Sequence, residues 1–331
     1  MRESNFELLR IVSMFFIVLY HLLYYFISVW SCDAFYKALF LPLHVGVICF
    51  VLISGYFHIN PSLKGIAKLL APLIIFYLPL TIVDIYNGNG GGKSLLFFSG
   101  SSYWFIRTYL YLFLVSPLLN LFLVNNYRRL YVLLCVGFIA IYMGARHDPS
   151  LLYGKNIVLF MFLYTLGDSI RANLNIIERI GTKKILTAYL ILNSLLVGIM
   201  CEWNDTLIGN IIFTASYQYY GPVLIFNALL LFVLFSRLSI SSKIINWLGS
   251  SVLAVYVISD NKLVLREIIM PIVKEIYMNI TDPIIVVLYL SLFSLSIVFI
   301  CIIMDKLFSP VKNLFISIAS KIQLYIKLDI V

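Results

Sequence analysis

Arg10 and His21 stand eleven residues apart in the first apolar stretch, Glu7-Leu-Leu-Arg10-Ile-Val-Ser-Met-Phe-Phe-Ile-Val-Leu-Tyr-His21. At ~100° per residue this spacing is three turns plus ~20°, so both side chains share one helix face, ~16 Å apart along the axis. Polar side chains at such depth are costly in lipid. They belong inside a bundle, at a pathway or a reaction site. An imidazole there has the chemistry of a general base or an acyl carrier, and its ordinary pKa of about 6.5 suits taking a proton from an alcohol. Packing against a neighbouring helix is the plainer reading. Glu7 lies three residues before Arg10 and is spaced to pair with it near the inner surface. One face would then join an anion-binding mouth to a buried base.

Two other segments could complete such a site. His44-Val-Gly-Val-Ile-Cys-Phe50-Val-Leu-Ile-Ser54-Gly55-Tyr56-Phe57 puts His44 at about the depth of His21 on a chain running the other way. His44 either faces the same cavity or makes a helix contact. Ser54 and Gly55 either let helices approach closely or break the helix and free backbone groups to line a cavity. Tyr103, Trp104, Phe105 and Arg107 open a later stretch. This cluster reads as an interfacial aromatic belt or as a sugar-binding vestibule working by stacking and hydrogen bonds.

The remaining polar features are weaker. Asn87-Gly-Asn-Gly-Gly-Gly-Lys93-Ser94 ends like a phosphate-binding loop but lacks its glycine spacing and flanking elements, so it reads as a turn. Asp84, Asp168 and Asp260 fall near the ends of apolar stretches as solvated or paired residues, Asp168 within reach of Arg171. The five cysteines have no metal spacing and an odd count, which argues against a disulfide framework; a Cys32–Cys201 pair is the one conceivable bridge.

The elements that must position these residues are membrane spans. The 331 residues are 62% hydrophobic and 12% charged, against about 25% charged in soluble domains. Mean hydropathy is +0.99. Stretches able to cross ~30 Å of hydrocarbon fall at 7–29, 34–57, 66–86, 103–124, 130–146, 155–172, 185–201, 218–236, 244–265 and 283–304. The first is too long for a signal-peptide core and has no cleavage site after it. With the N-terminus inside, 15 lysines and arginines fall on the inner side and 7 on the outer. This bias explains the net charge of +9 as orientation rather than nucleic-acid binding, and it puts both termini in the cytoplasm. The expected fold is all-α: a polytopic transmembrane helical bundle of about ten spans over 1–304. A short cytoplasmic amphipathic tail follows over 305–331, spaced to lie on the inner leaflet. No internal repeat of the transporter kind is visible.

In order along the chain, five segments resemble the integral-membrane acyltransferase family 3. Asn5 through His21 looks like its opening arginine, ten residues, histidine motif. Phe50 to Phe57 looks like its second-helix ending, and Tyr103-Trp104-Phe105 with Pro117 is similar to a third motif. So are Phe162 to Arg171, and Trp247 to Asn261. The resemblance implies a multi-pass protein of the bacterial inner membrane. It implies transfer of an acyl group, usually acetyl from acetyl-CoA, to hydroxyls of envelope glycans or their lipid-linked precursors. No permanently bound cofactor or metal is implied; acyl-CoA is a substrate.

Carried over residue by residue, the resemblance implies His21 as the catalytic histidine with Arg10 and Glu7. Arg10, Lys64, Lys68, Ser54, Gly55 and Tyr56 would attend acyl-CoA, and Tyr103, Trp104, Arg107, Asp260 and Asn261 the acceptor. Two departures stand out. The late motif often ends in a histidine where this chain has Ser259, and no outer esterase-like domain follows. The rival class is a transporter of lipid-linked glycans or small solutes. It would account for the helices and aromatics but does not need Arg10 and His21 on one face. An inactive relative that senses lipid or glycan is a third reading.

Overall fold

The computed structural model describes residues 3–30, 34–89, 91–96, 103–145, 155–203 and 206–326. Among these there is no strand. The first span is α1 (Ser4–Trp30). The second is broken into α2 (Ala34–Leu43) and α3 (Gly46–Phe57). Pro42 sits at the end of α2, where proline disfavours a continuous helix, and His44 falls in the break. The third runs from α4 (Leu63–Pro72) through a π-helical turn, Leu73–Tyr77, into α5 (Leu78–Tyr86). Then come α6 (Trp104–Phe122), α7 (Asn126–Ala145), α8 (Ile157–Ala172), the short α9 (Leu174–Glu178) and α10 (Thr182–Trp203). Next, α11 (Leu207–Tyr217) and α12 (Pro222–Ser236) form a pair bent by 48°. The helices α13 (Lys243–Gly249), α14 (Val252–Ser259), α15 (Lys262–Val264) and α16 (Met270–Asn279) make a second bent unit, with 67° between its halves. The chain closes with α17 (Pro283–Leu307) and α18 (Ser309–Ile326).

Seven of these helical units are long and apolar enough to cross a membrane, or nine if each bent pair is one span. The chain is a multi-pass membrane protein. The sequence predicts ten spans, and α8 makes the difference. It has 16 residues, ~24 Å, between the Asn156 cap and the break at Asn173. Asn156 Oδ1 accepts from the amides of Val158 and Leu159, which fixes that start. Leu134 and Phe138 on α7, Leu190 and Leu195 on α10, and Phe299 and Ile300 on α17 remain exposed, as a hydrocarbon solvent allows.

Helix α1 is the hub. It contacts α2, α3, α12, α13, α14, α16 and α17, so the helix carrying Arg10 and His21 runs through the interior. Gly46 brings α3 onto α1: a Cβ there would lie 2.6 Å from the Ser13 carbonyl oxygen. The closest crossing is α3 on α8. A Cβ on Gly55 would lie 2.0 Å from the Tyr164 carbonyl oxygen, and one on Gly167 2.3 Å from that of Leu52. Without side chains at these two positions the backbones touch.

The end of α3 is locked by polar contacts. Tyr164 Oη accepts from the Ile59 amide and donates to Asn120 Oδ1, while Asn120 Nδ2 donates to the Ile59 carbonyl. Asp168 is buried, but its partners are His58 (2.6 Å) and Arg129 (2.7 Å) rather than Arg171. The reason is that its side of α8 faces α3 and α7, whereas Arg171 donates to the Tyr56 carbonyl. Asp168→Ala leaves the Arg129 guanidinium and the His58 ring without their buried partner. We expect it to destabilise the detergent-solubilised chain by about 3 kcal/mol, read as a lowered thermal midpoint, with Asp168→Glu in between.

Two further expectations meet the structure here. Helix α18 lies beside α4, where the Lys64 amide donates to Gln323 Oε1, and leaves Val311, Leu314, Ile318 and Ile322 exposed as a stripe. The pairing considered for Cys32 and Cys201 involves Cys32, which lies outside the described residues.

Candidate active site

A cavity of about 660 Å³ runs along α1 between α3, α4, α6 and α14. At one end it is lined by Arg10, Gly65, Lys68, Gly249 and Ser250. At the other it is lined by His21, Tyr25, His44, Trp104, Tyr219, Asp260 and Lys262. Met14, Ile17, Phe50, Phe105 and Phe113 give its middle an apolar wall. A cation-lined mouth thus leads through a greasy passage to a cluster of titratable and aromatic side chains.

The Arg10 end is built from three helices. Glu7 is buried, and its Oε1 accepts from Arg10 Nη1 at 2.6 Å. Glu7 leans on Gly249 of α13, where a Cβ would meet Oε2 at 2.4 Å. Glycine at 249 therefore makes room for the carboxylate that aims Arg10. Lys68 reaches the same end from α4, whose first turn is capped by Ser62 Oγ accepting from the Gly65 amide at 3.0 Å.

The His21 end is built around the 67° bend. Asp260 closes α14, and Asn261 Oδ1 caps α15 by accepting from the Leu263 amide at 3.0 Å. The chain turns there, and the Asp260 carboxylate comes within 4.0 Å of His21 Nδ1. That is ion-pair distance, longer than a direct hydrogen bond. His44 enters from the α2–α3 break, packed against the rings of Tyr20, Tyr217 and Tyr219. Lys155 Nζ lies 5.5 Å from the centre of the Trp104 ring and 5.7 Å from that of Tyr219, a cation–π arrangement.

Of the residues singled out in the sequence, the cavity gathers Arg10, His21, His44, Ser54, Lys68, Trp104, Phe105 and Asp260. Ser54 Oγ donates to the Phe50 carbonyl and shares a 2.9 Å hydrogen bond with Tyr109 Oη. The others stand elsewhere. Glu7 is one layer behind Arg10. Lys64 is exposed on α4. Gly55 faces α8, and the Tyr56 ring packs with Phe6, Phe57 and Phe232. Tyr103 is buried, with Oη donating to the Val257 carbonyl at 2.9 Å, and φ of 53° puts it in the left-handed region at the head of α6. Arg107 is half-buried outside the lining, Asn261 is spent on its cap, and Ser259 is buried outside the lining.

The sequence reading left three contributors without a role in the site. Tyr219 and Lys262 carry no local signal, because only the tertiary fold brings them to His21. Lys155 counted as a loop charge, although two aromatic faces await it. Over residues 3–305 the sequence matches a protein family described as an acyltransferase domain. No curated protein and no solved structure matches the chain.

Proposed function

The chain belongs to the membrane acyltransferase family 3, and from that premise we propose that it carries an acyl group, acetyl first among the choices, from cytoplasmic acyl-CoA to a hydroxyl of an envelope glycan or its lipid-linked precursor. The observation that carries the reading is the shared cavity: Arg10 and Lys68 at one end, His21 at the other, and an apolar passage between. In this reading both termini are cytoplasmic, and the protein sits in the inner membrane of a bacterium. The phosphates of acyl-CoA meet Arg10 and Lys68, with Lys64 nearby at the surface. Glu7 holds the Arg10 guanidinium, and Ser54 faces the passage along which the thioester reaches inward.

His21 acts at the far end. With Nδ1–H toward Asp260, the lone pair of Nε2 is free for the reacting groups. As a base, Nε2 takes the proton of the acceptor hydroxyl, the oxygen attacks the thioester carbonyl, and the tetrahedral adduct expels the thiolate. That thiolate takes the proton back from the imidazolium. As a carrier, Nε2 itself attacks the thioester and releases the thiolate; the acceptor hydroxyl oxygen then displaces the imidazole, and its proton passes to the thiolate. Either way one thioester becomes one ester and one free thiol, with no outside reactant. Trp104 forms part of the acceptor's approach.

Asp260 is a positioning residue in this scheme. Asp260→Asn is expected to lower kcat about 10–100-fold while leaving the KM for acyl-CoA within about threefold; Asp260→Glu should recover part of the loss. The assay is transfer from radiolabelled acetyl-CoA to lipid-extracted envelope glycan by the purified chain in proteoliposomes. The same assay tests the function itself. Label entering base-labile ester on the glycan supports the reading, and an inert preparation that still binds acetyl-CoA counts against it.

A further inference from the structure

The His21 end of the cavity holds more positive charge than its own residues balance. Lys155 is half-buried, and its ammonium lies over the rings of Trp104 and Tyr219, both of which line the cavity. Its backbone is anchored, because the next residue, Asn156, caps α8. Lys262 lines the same end from the head of α15. Among the described residues neither ammonium makes an ion pair or a hydrogen bond. Asp260 is the one carboxylate of the lining among those residues, and it comes within ion-pair distance of His21 but of neither lysine.

An ammonium brings three donors and no acceptor. Aromatic faces attract its charge but leave those donors without strong acceptors. Ionisable side chains gathered at an internal cavity of a membrane protein mark the path of a substrate. With His21 neutral, two lysines stand against one carboxylate, and apolar walls focus the resulting positive potential. That disfavours a cationic ligand, and a neutral one would leave both lysines without a counter-charge. The donor does not supply it. In the reading above its phosphates lie with Arg10, ~16 Å from His21 along α1, and the acetyl group it delivers is neutral. The counter-charge then belongs to the acceptor.

We propose that Lys155 and Lys262 form an anion subsite at the His21 end, where the acceptor presents an oxyanion, phosphate or carboxylate, while its hydroxyl meets the imidazole. This deepens the acyltransferase reading and rests on it for the word acceptor. It narrows the substrate from glycans at large to acidic ones. The acid is either the phosphate of a sugar phosphate, as in a lipid-linked precursor, or the carboxylate of a sugar acid.

The test is saturation-transfer NMR on the full chain in micelles of a neutral detergent. The probes are glucose 1-phosphate, methyl glucuronide and the neutral methyl glucoside. At least one acidic probe should bind about tenfold tighter than methyl glucoside. Preference for the phosphate points to a lipid-linked precursor, and preference for the glucuronide to a sugar acid in the glycan. Lys155→Met keeps the length of the side chain without its charge, and it should weaken the acidic probe roughly tenfold. Lys155→Arg should stay within about threefold of wild type. Lys262→Met should weaken the same probe severalfold. Acetyl-CoA binding should be equal in all of these, which checks folding. If Lys155→Met loses it, the exposed Lys262 decides the outcome. The proposal is wrong if no probe binds the wild-type chain, if acidic and neutral probes bind alike, or if the lysine variants bind the acidic probe as wild type does. It is also wrong if Lys68→Met, and not Lys155→Met, abolishes that binding, which would put the anion at the donor mouth. If acidic sugars bind through Lys155 but no preparation moves acetyl to any glycan, the subsite stands and the acyltransferase reading fails.

Discussion

His21→Ala is expected to reduce acyl transfer about 10³-fold or more, to the background of the assay. The thermal midpoint of the solubilised chain should move by no more than about 2 °C, because the imidazole faces the cavity and its nearest charged partner, Asp260, is 4.0 Å away. Both mechanisms require the lone pair on this ring. Acetyl-CoA should still bind, since Arg10 lies ~16 Å away along α1 and Lys68 reaches the same cavity from α4. The variant therefore separates chemistry from donor binding. Isothermal titration with acetyl-CoA beside the proteoliposome assay reads both. A variant that keeps transferring acetyl would remove His21 from the reaction.

Gly55→Ala is expected to have the largest effect on stability. The added methyl carbon would lie 2.0 Å from the Tyr164 carbonyl oxygen and 2.7 Å from its carbon, both backbone atoms that no rotamer can move. Helices α3 and α8 must separate, and the contacts that hold Ile59, Tyr164 and Asn120 go with them. A loss of about 3 kcal/mol or more follows from overpacking of this kind, seen as aggregation on size exclusion or a collapsed thermal midpoint. Gly198→Ala is the control. It lies within α10, where an added methyl meets nothing within 4 Å, so it should be neutral or slightly stabilising. If both glycines tolerate alanine equally, the α3–α8 contact is not as close as described.

What the sequence made legible follows from the range of each signal. Arg10 and His21 lie on one helix, so helical periodicity alone put them on one face, and both line the cavity. Apolar length found the spans because lipid imposes it locally. Among the described residues α8, capped at Asn156 and broken at Asn173, is the one predicted span that stays at 16 residues. Asp260 read as a span-end residue because nothing in its neighbourhood announces a 67° bend. Its closeness to His21 spans 239 residues of sequence and exists only once α14 packs on α1. Gly55 left two readings open, close approach or cavity backbone, and the α3–α8 crossing selects the first. Tyr103 and Asn261 sit beside the site in sequence motifs, yet Tyr103 Oη donates to the Val257 carbonyl and Asn261 Oδ1 caps α15. A motif names a neighbourhood; the hydrogen-bond partners show which member of it has an atom to spare.

The central claim is that this cavity moves acyl groups onto glycan hydroxyls, and NMR of envelope glycans tests it most directly. Glycans would be purified from cells lacking the chain and from the same cells expressing either the wild-type chain or His21→Ala, after feeding carbon-13 acetate. The account predicts base-labile, labelled O-acetyl signals with the wild-type chain and none in the other two samples. Identical spectra from all three, with no other acyl ester on glycans or glycolipids distinguishing them, would contradict it.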